Sequence, residues 1–243
     1  MSGDLLTLRM MVVSEDRAVQ QQWRQGVGLA SIPIEFSAEN AEIAIASLKK
    51  GGFDIVVIDA ALAVEGPAKL IEAARHATPA PLLAMLAPPR VAQLDGGDLT
   101  LPQPASIEEV RALVEGCIKL RLPKRVLVVD DSGTMRSIVR KILSGSRFQL
   151  EVSEAGACEE ALNEVTNHDL TLLDCNMPGV DGFDTLAQIR RIAPAMPVVM
   201  MTATEDEAMA GRAQASGAAA FIKKPFYPAD IDAVIIRIYG GLN

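Results

Sequence analysis

The chain has 243 residues and a formal net charge of −8, with only two histidines and one tryptophan. That length allows two small domains, each able to bury its own core. The acidic excess is shared, with 15 acidic against 11 basic side chains before residue 122 and 16 against 12 after it. Neither half therefore has the basic patch needed to bind nucleic-acid phosphates or an anionic membrane surface, and neither partner is expected.

The opening MSGDLL has no basic region followed by an apolar core, so no secretory signal is expected. The longest apolar stretch, around 55–64, is interrupted by Asp59 and is too short to span a bilayer. Cys117, Cys158 and Cys175 form no CxxC pair, and with His76 and His168 they give no zinc-ligand spacing. A reducing, cytoplasmic location is expected.

Short apolar runs alternate with helical patterns along the whole chain. In the first half, LRMMVVSE (8–15), FDIVVID (53–59) and PLLAMLA (81–87) read as buried strands, and IEEVRALVEGCIKL (107–120) as a closing helix. RLPKR (121–125) is too short for a free linker, so two touching domains are expected. In the second half the strands are RVLVVDD (125–131), LEVSEA (150–155), LTLLD (170–174), PVVMMTA (197–203) and AAFIKK (219–224). Helices are expected around 157–166, 181–192, 206–215 and 228–239. Another should follow the first of these strands, with Met135, Ile138, Val139, Ile142 and Leu143 on one face and Asp131 or Ser132 as its cap. Nearly all-apolar strands alternating with helices indicate a parallel sheet covered on both faces.

The two halves repeat one layout. The ends of matching strands lie 130 − 14 = 116, 174 − 59 = 115 and 202 − 86 = 116 residues apart, so the chain is an internal duplication.

In an open parallel sheet, ligands bind at the carboxyl ends of the strands. There the second half places Asp130 and Asp131, Asp174, Thr202 and Lys224. Three converging carboxylates repel one another unless a cation sits between them, and an all-oxygen set suits Mg²⁺. A carboxylate can attack phosphorus to form an acyl phosphate. A metal, a lysine and a hydroxyl such as Thr202 would then hold the phosphoryl oxygens.

These residues resemble the receiver domain of two-component response regulators. VLVVDDSGTMRSIVRKIL, LLDCNMPGVDG (172–182), MMTA (200–203) and FIKKPF (221–226) carry the likeness across roughly 124–243 and are similar to the single-domain chemotaxis regulators. The resemblance implies an α/β fold of two flavodoxin-like receivers. Each would be a doubly wound (βα)5 unit with a parallel five-stranded sheet in the order 2-1-3-4-5. A degenerate receiver would span 1–121 and a phosphorylatable one 122–243. It further implies Asp174 as phosphoacceptor, Mg²⁺ held by Asp130, Asp131, Asp174 and the backbone carbonyl of Asn176, and Thr202 and Lys224 on the phosphoryl group. Thr202 and Phe221 would form the switch, and the Lys224–Pro225 bond would be cis.

Other residues have plainer readings. Lys223 is expected at the surface, Cys175 as a small side chain beside the acceptor, Met200 and Met201 in the core, and His168 exposed at a strand start. GGD (96–98) is similar to a fragment of a cyclase signature but reads as a turn, and Thr204 and Glu205 lie where the family tunes dephosphorylation. In the first half the acidic pair has become Ser14–Glu15, with Asp16 beyond it. Asp59 survives at the acceptor position, Leu86 is matched to the hydroxyl residue, and Gln103 replaces the lysine. A weak metal site and a role as a binding surface are expected there.

The resemblance implies a regulator phosphorylated by a sensor histidine kinase or a histidine phosphotransfer protein. With no output module expected, it would signal through contacts with an unidentified downstream protein, and its only catalysis would be its own phosphotransfer and autodephosphorylation. The alternatives are a phosphate sink or shuttle, and an aspartyl-phosphate phosphatase. A phosphatase would need an acid where Asn176 stands. Ile231, Val234, Ile235 and Ile238 exceed one buried face, so homodimerisation through the last helices is a further expectation.

Overall fold

The computed structural model describes residues 7–62, 66–88, 94–177, 181–203 and 207–240, with side chains described for all of these except 207–210. Two compact units emerge, one built on the chain up to Arg121 and the other on Leu122–Ile238. Among the described residues no helix is long and apolar enough to cross a membrane.

The first unit runs β1 (Leu8–Val13), α1 (Arg17–Val27), β2 (Ile34–Glu39), α2 (Ala41–Lys50), β3 (Ile55–Asp59), α3 (Gly66–His76), β4 (Leu82–Ala87), β5 (Leu99–Pro102) and α4 (Ile107–Arg121). Its strands are parallel, in the order β2-β1-β3-β4-β5. β3 and β4 are buried along their whole length. A strand flanked by neighbours and covered on both faces has no solvent side, so IVVID and LLAMLA need no polar alternation. Helix starts are fixed by short polar side chains: the Asp16 carboxylate accepts from the Ala18 N–H at 2.7 Å and the Asn40 side chain from the Ile43 N–H at 3.0 Å. Each such cap contributes about 1 kcal/mol. α1 packs on α4 and α2 on α3. Leu48, Val56, Ile58, Leu70 and Leu83 meet in the core that α2 and α3 cover.

The first unit departs from a strict alternation. Among the described residues no helix lies between β4 and β5, where Pro88 follows the strand and a turn with Gly96 at φ +90 precedes β5. GGD is that turn. The Asp98 carboxylate accepts from the Leu83 N–H at 2.7 Å and pairs with Arg75 at 2.7 Å, which pins the turn to β4.

The second unit runs β6 (Lys124–Val129), α5 (Gly133–Leu143), β7 (Leu150–Ala155), α6 (Cys158–Glu164) with a following 3-10 turn (Val165–Asn167), β8 (Leu170–Asp174), α7 (Gly182–Ile192), β9 (Val198–Thr202), α8 (Glu207–Ala215), β10 (Ala220–Lys223) and α9 (Pro228–Tyr239). All pairings are parallel in the order β7-β6-β8-β9-β10. Both sheets thus have the order 2-1-3-4-5 within their unit, the flavodoxin-like arrangement. Leu127, Leu173, Leu186, Ile189 and Met200 form the centre of one core layer. Truncating one of these leucines to alanine would cost about 2–5 kcal/mol.

Two placements differ from the sequence reading. On α5 only Val139 and Leu143 are buried and Ile138 is 47% exposed, so the apolar stripe is narrower than its periodicity indicated. His168 is buried rather than exposed, because its ring nitrogen Nδ1 turns back onto the Glu164 carbonyl at 2.8 Å. On α9, Ile231 and Ile235 are buried while Val234 and Ile238 are half-buried.

Candidate functional site

The carboxyl edge of the second sheet gathers the polar residues that the strand ends indicated. Asp130 and Asp131 follow β6, Asp174 is the last residue of β8, Thr202 the last of β9, and Lys224 follows β10. Asp130 and Asp174 are buried and Asp131 is exposed. Carboxylate oxygens of the three lie within 4.8 Å of one another. Two like charges about 4 Å apart repel by roughly 4 kcal/mol at the effective dielectric of a protein surface, so the cluster requires a cation.

Lys224 supplies one in this structure. Its Nζ donates to Asp130 Oδ2 at 2.7 Å and to Asp174 Oδ1 at 2.8 Å. Burial works to lower the lysine pKa, but the hydrogen bonds and charges of Asp130 and Asp174 outweigh it and hold the ammonium above the ordinary lysine range. The remaining inner oxygens bind backbone: Asp130 Oδ1 accepts from the Ser132 N–H at 3.0 Å and Asp174 Oδ2 from the Asn176 N–H at 3.3 Å.

The surroundings fix these groups. The Lys224 N–H donates to the Thr202 carbonyl at 2.6 Å, tying the end of β10 to β9, and the Lys224–Pro225 bond is cis. Thr202 is fully buried, and Phe221 is half-buried against the core that Met200 and Leu173 share. Lys223 is exposed, Met200 and Met201 are core, and Asn176 is exposed two residues past Asp174. Burial, with Asp174 and Asp181 nearby, pushes the Cys175 thiol up to about 12, so it is no nucleophile at neutral pH. Thr204 and Glu205 lie outside the described residues.

Two contributors escaped the sequence reading. Gly182 opens α7 so close to Asp174 that an added Cβ would collide with the Asp174 carbonyl and with Cys175 Cα. Arg136, in the first turns of α5, donates from Nη1 to the Asp130 carbonyl at 2.7 Å. The one available signal for Arg136 was its place four residues after the Ser132 cap, which points its side chain back toward the strand end.

The donor set fits a hard divalent cation. Three carboxylates offer only oxygen ligands at mutual distances one ion can span, which is the chemistry Mg²⁺ requires.

The first unit lacks this set. Ser14 occupies the position of Asp130, and its hydroxyl donates to Asp59 Oδ2 at 2.7 Å with both residues buried. The other Asp59 oxygen accepts from the Ala61 N–H at 3.0 Å. Glu15 caps α2 by accepting from the Ala41 N–H at 3.2 Å, and Asp16 caps α1. Strand pairing corrects one correspondence. Asp59 lies opposite Leu86 just as Asp174 lies opposite Met201, so the counterpart of Thr202 is Ala87 and not Leu86. The strand offset is 115 there and not 116, and a one-residue slip turns a side chain to the other face. The same pairing puts Thr100 at the place of Phe221, with exposed Gln103 following β5 where Lys224 follows β10.

Residues 126–236 match the family described as the response regulator receiver domain. The chain is 36% identical over 114 residues to the transcriptional regulatory protein ResD of Bacillus subtilis, covering 47% of this chain and 46% of that protein. It is 35% identical over 114 residues to the transcriptional regulatory protein PdtaR of Mycobacterium tuberculosis, covering 45% and 54%. The match thus spans about half the length of these curated relatives. The solved structure of a probable two-component system response regulator/GGDEF domain protein aligns with 97% of this chain and 99% of its own, at 20% identity and a TM-score of 0.55. That likeness is one of fold, and it extends to the first unit.

Proposed function

Because residues 126–236 belong to the response regulator receiver domain family of two-component systems, we propose that Asp174 accepts a phosphoryl group and that the protein relays this state by contacts with other proteins. The donor would be the phosphohistidine of a sensor histidine kinase or of a histidine phosphotransfer protein. On this reading 122–243 is the phosphorylatable domain and 1–121 a degenerate receiver that serves as a binding surface, both cytoplasmic. The observation that carries the reading is Asp174 itself, buried at the sheet edge, ion-paired to Lys224 and within reach of two further carboxylates.

The chemistry follows from that arrangement. A carboxylate oxygen of Asp174 attacks phosphorus in line, the P–N bond of the donor breaks, and the histidine leaves with its electron pair. Mg²⁺, held by Asp130, Asp131, Asp174 and the carbonyl of Asn176, would neutralise charge on the phosphoryl oxygens. Attack converts the Asp174 charge into phosphoryl charge, so Lys224 can pass its hydrogen bond from Oδ1 to a phosphoryl oxygen while keeping Asp130. Thr202, buried at the end of β9, would turn its hydroxyl to another oxygen. Phe221, half-buried on the neighbouring strand opposite Met200, would fill the space left behind and carry the change to the surface around α8, β10 and α9.

The test is intact-mass analysis after incubation with acetyl phosphate and Mg²⁺. One added phosphoryl group is expected in the wild type and in Asp59→Ala, and none in Asp174→Ala. Modification that survives Asp174→Ala would overturn the assignment.

A further inference from the structure

The three carboxylates of the second site are held in unequal ways. Asp130 and Asp174 each have one oxygen on Lys224 and the other on a backbone N–H. Asp131 is exposed, and among the described residues its carboxylate accepts no hydrogen bond. Among the described residues its backbone is therefore the part that neighbouring groups hold, and it fixes where the side chain starts.

One side chain grips that backbone. Arg136 Nη1 donates to the Asp130 carbonyl at 2.7 Å and to the Asp131 carbonyl at 3.3 Å. The opposite edge of the guanidinium is anchored, with Nε on Glu154 Oε2 at 3.1 Å, and Glu154 also pairs with Arg140 through its other oxygen. Arg136 and Glu154 are each only 21% exposed, so the fork has little freedom. A planar guanidinium can hold two acceptors on one side and a carboxylate on another without bending, which a lysine cannot.

The first unit serves as an internal comparison. Gln20, at the position of Arg136, donates from Nε2 to the Ser14 carbonyl at 2.6 Å. Ala38 stands opposite Val12 where Glu154 stands opposite Val128. A bond to the first carbonyl thus belongs to the fold. The charge, the anchoring glutamate and the contact to the second carbonyl occur in the unit that has the acidic cluster.

We infer that Arg136, anchored by Glu154, is a positioning residue that aims the Asp131 carboxylate into the metal site. This rests on the Mg²⁺ reading given above. Ligand-orienting partners of this kind change metal affinity by about tenfold or more. Since Arg136 acts through Asp131, its effect should vanish when Asp131 is no longer a ligand.

The experiment is isothermal titration of the full chain with Mg²⁺ in a double-mutant cycle. Arg136→Met is expected to weaken binding about tenfold in the wild-type background and by less than about twofold in an Asp131→Asn background. Glu154→Gln, which keeps an acceptor for Nε but loses its charge, should give a smaller loss in the same sense and stands in should Arg136→Met fail to fold. Phosphorylation by acetyl phosphate at saturating Mg²⁺ should recover in both variants, the defect residing in the metal requirement. Equal weakening in both backgrounds, or unchanged affinity in a folded Arg136→Met protein, would overturn the inference. If Asp131→Asn alone leaves affinity unchanged, the metal reading itself fails.

Discussion

Ser14 donates its hydroxyl to Asp59 at 2.7 Å, at the positions that Asp130 and Asp174 hold in the second unit. A neutral donor there satisfies the buried acid without a cation, which the paired carboxylates of the second unit cannot do for each other. Removing the hydroxyl leaves a buried carboxylate oxygen short of its partner, which costs about 1–3 kcal/mol. Ser14→Ala should therefore lower the unfolding midpoint of the first unit and leave phosphorylation of Asp174 unchanged. Urea unfolding followed by fluorescence isolates that unit, because Trp23 is the chain's one tryptophan and is buried on α1. An unshifted Trp23 transition would show that Asp59 is solvated in some other way.

Lys224 is the cation of the second site when no metal is bound. Lys224→Met leaves Asp130 and Asp174 as an uncompensated buried pair, a change of the kind that costs about 3 kcal/mol. Mg²⁺ can replace the lost charge, so the variant should gain far more stability from Mg²⁺ than the wild type does. It should also be phosphorylated more slowly, having lost a partner for the phosphoryl oxygens. Far-UV circular dichroism during urea unfolding, with and without Mg²⁺, decides the matter. An equal Mg²⁺ effect in both proteins would mean that the ion does not occupy the position of the ammonium.

The same lysine sets a pH response. Its folded pKa lies above the ordinary lysine value of 10.5, so between the two values the folded chain retains a proton that the unfolded chain has released. Stability from this contact is fully present below the unfolded value and falls as pH rises through the folded one. The wild type should lose stability over that alkaline window more steeply than Lys224→Met. Parallel slopes in the two proteins would count against the ion pair.

The sequence carried the fold and the second site because both are written in local signals. Strands buried on both faces show as nearly all-apolar runs, such as LTLLD and PVVMM, and their ends put Asp174 and Thr202 on one edge without any knowledge of packing. What stayed hidden depends on register or on side-chain direction. Ala87 and not Leu86 matches Thr202 because the repeat offset falls from 116 on β1 to 115 on both β3 and β4, a one-residue change that an apolar run does not reveal. The burial of His168 is not legible at a strand start, because its bond to the Glu164 carbonyl arises only once a 3-10 turn follows α6. The role of Arg136 depends on Glu154, eighteen residues away on a neighbouring strand.

Gly182 gives a last prediction, on how α7 frames the acceptor. Its N–H donates to the Cys175 carbonyl at 3.2 Å, and Asp181 caps the helix by accepting from the Phe183 N–H at 3.1 Å. A Cβ at Gly182 would meet the Asp174 carbonyl and the Cys175 backbone, and neither can move as a flexible side chain would. Gly182→Ala must therefore lift the start of α7 or displace Asp174. The expected outcome is a loss of stability of about 1–3 kcal/mol in the second unit, with slower phosphorylation by acetyl phosphate even at saturating Mg²⁺. That differs from Arg136→Met, where saturating metal restores the rate, because here the acceptor itself is shifted. Circular dichroism under urea and the time course of intact mass would measure the two effects. Wild-type stability and rate in Gly182→Ala would mean that the backbone at Asp174 and Cys175 can yield enough to admit a methyl group.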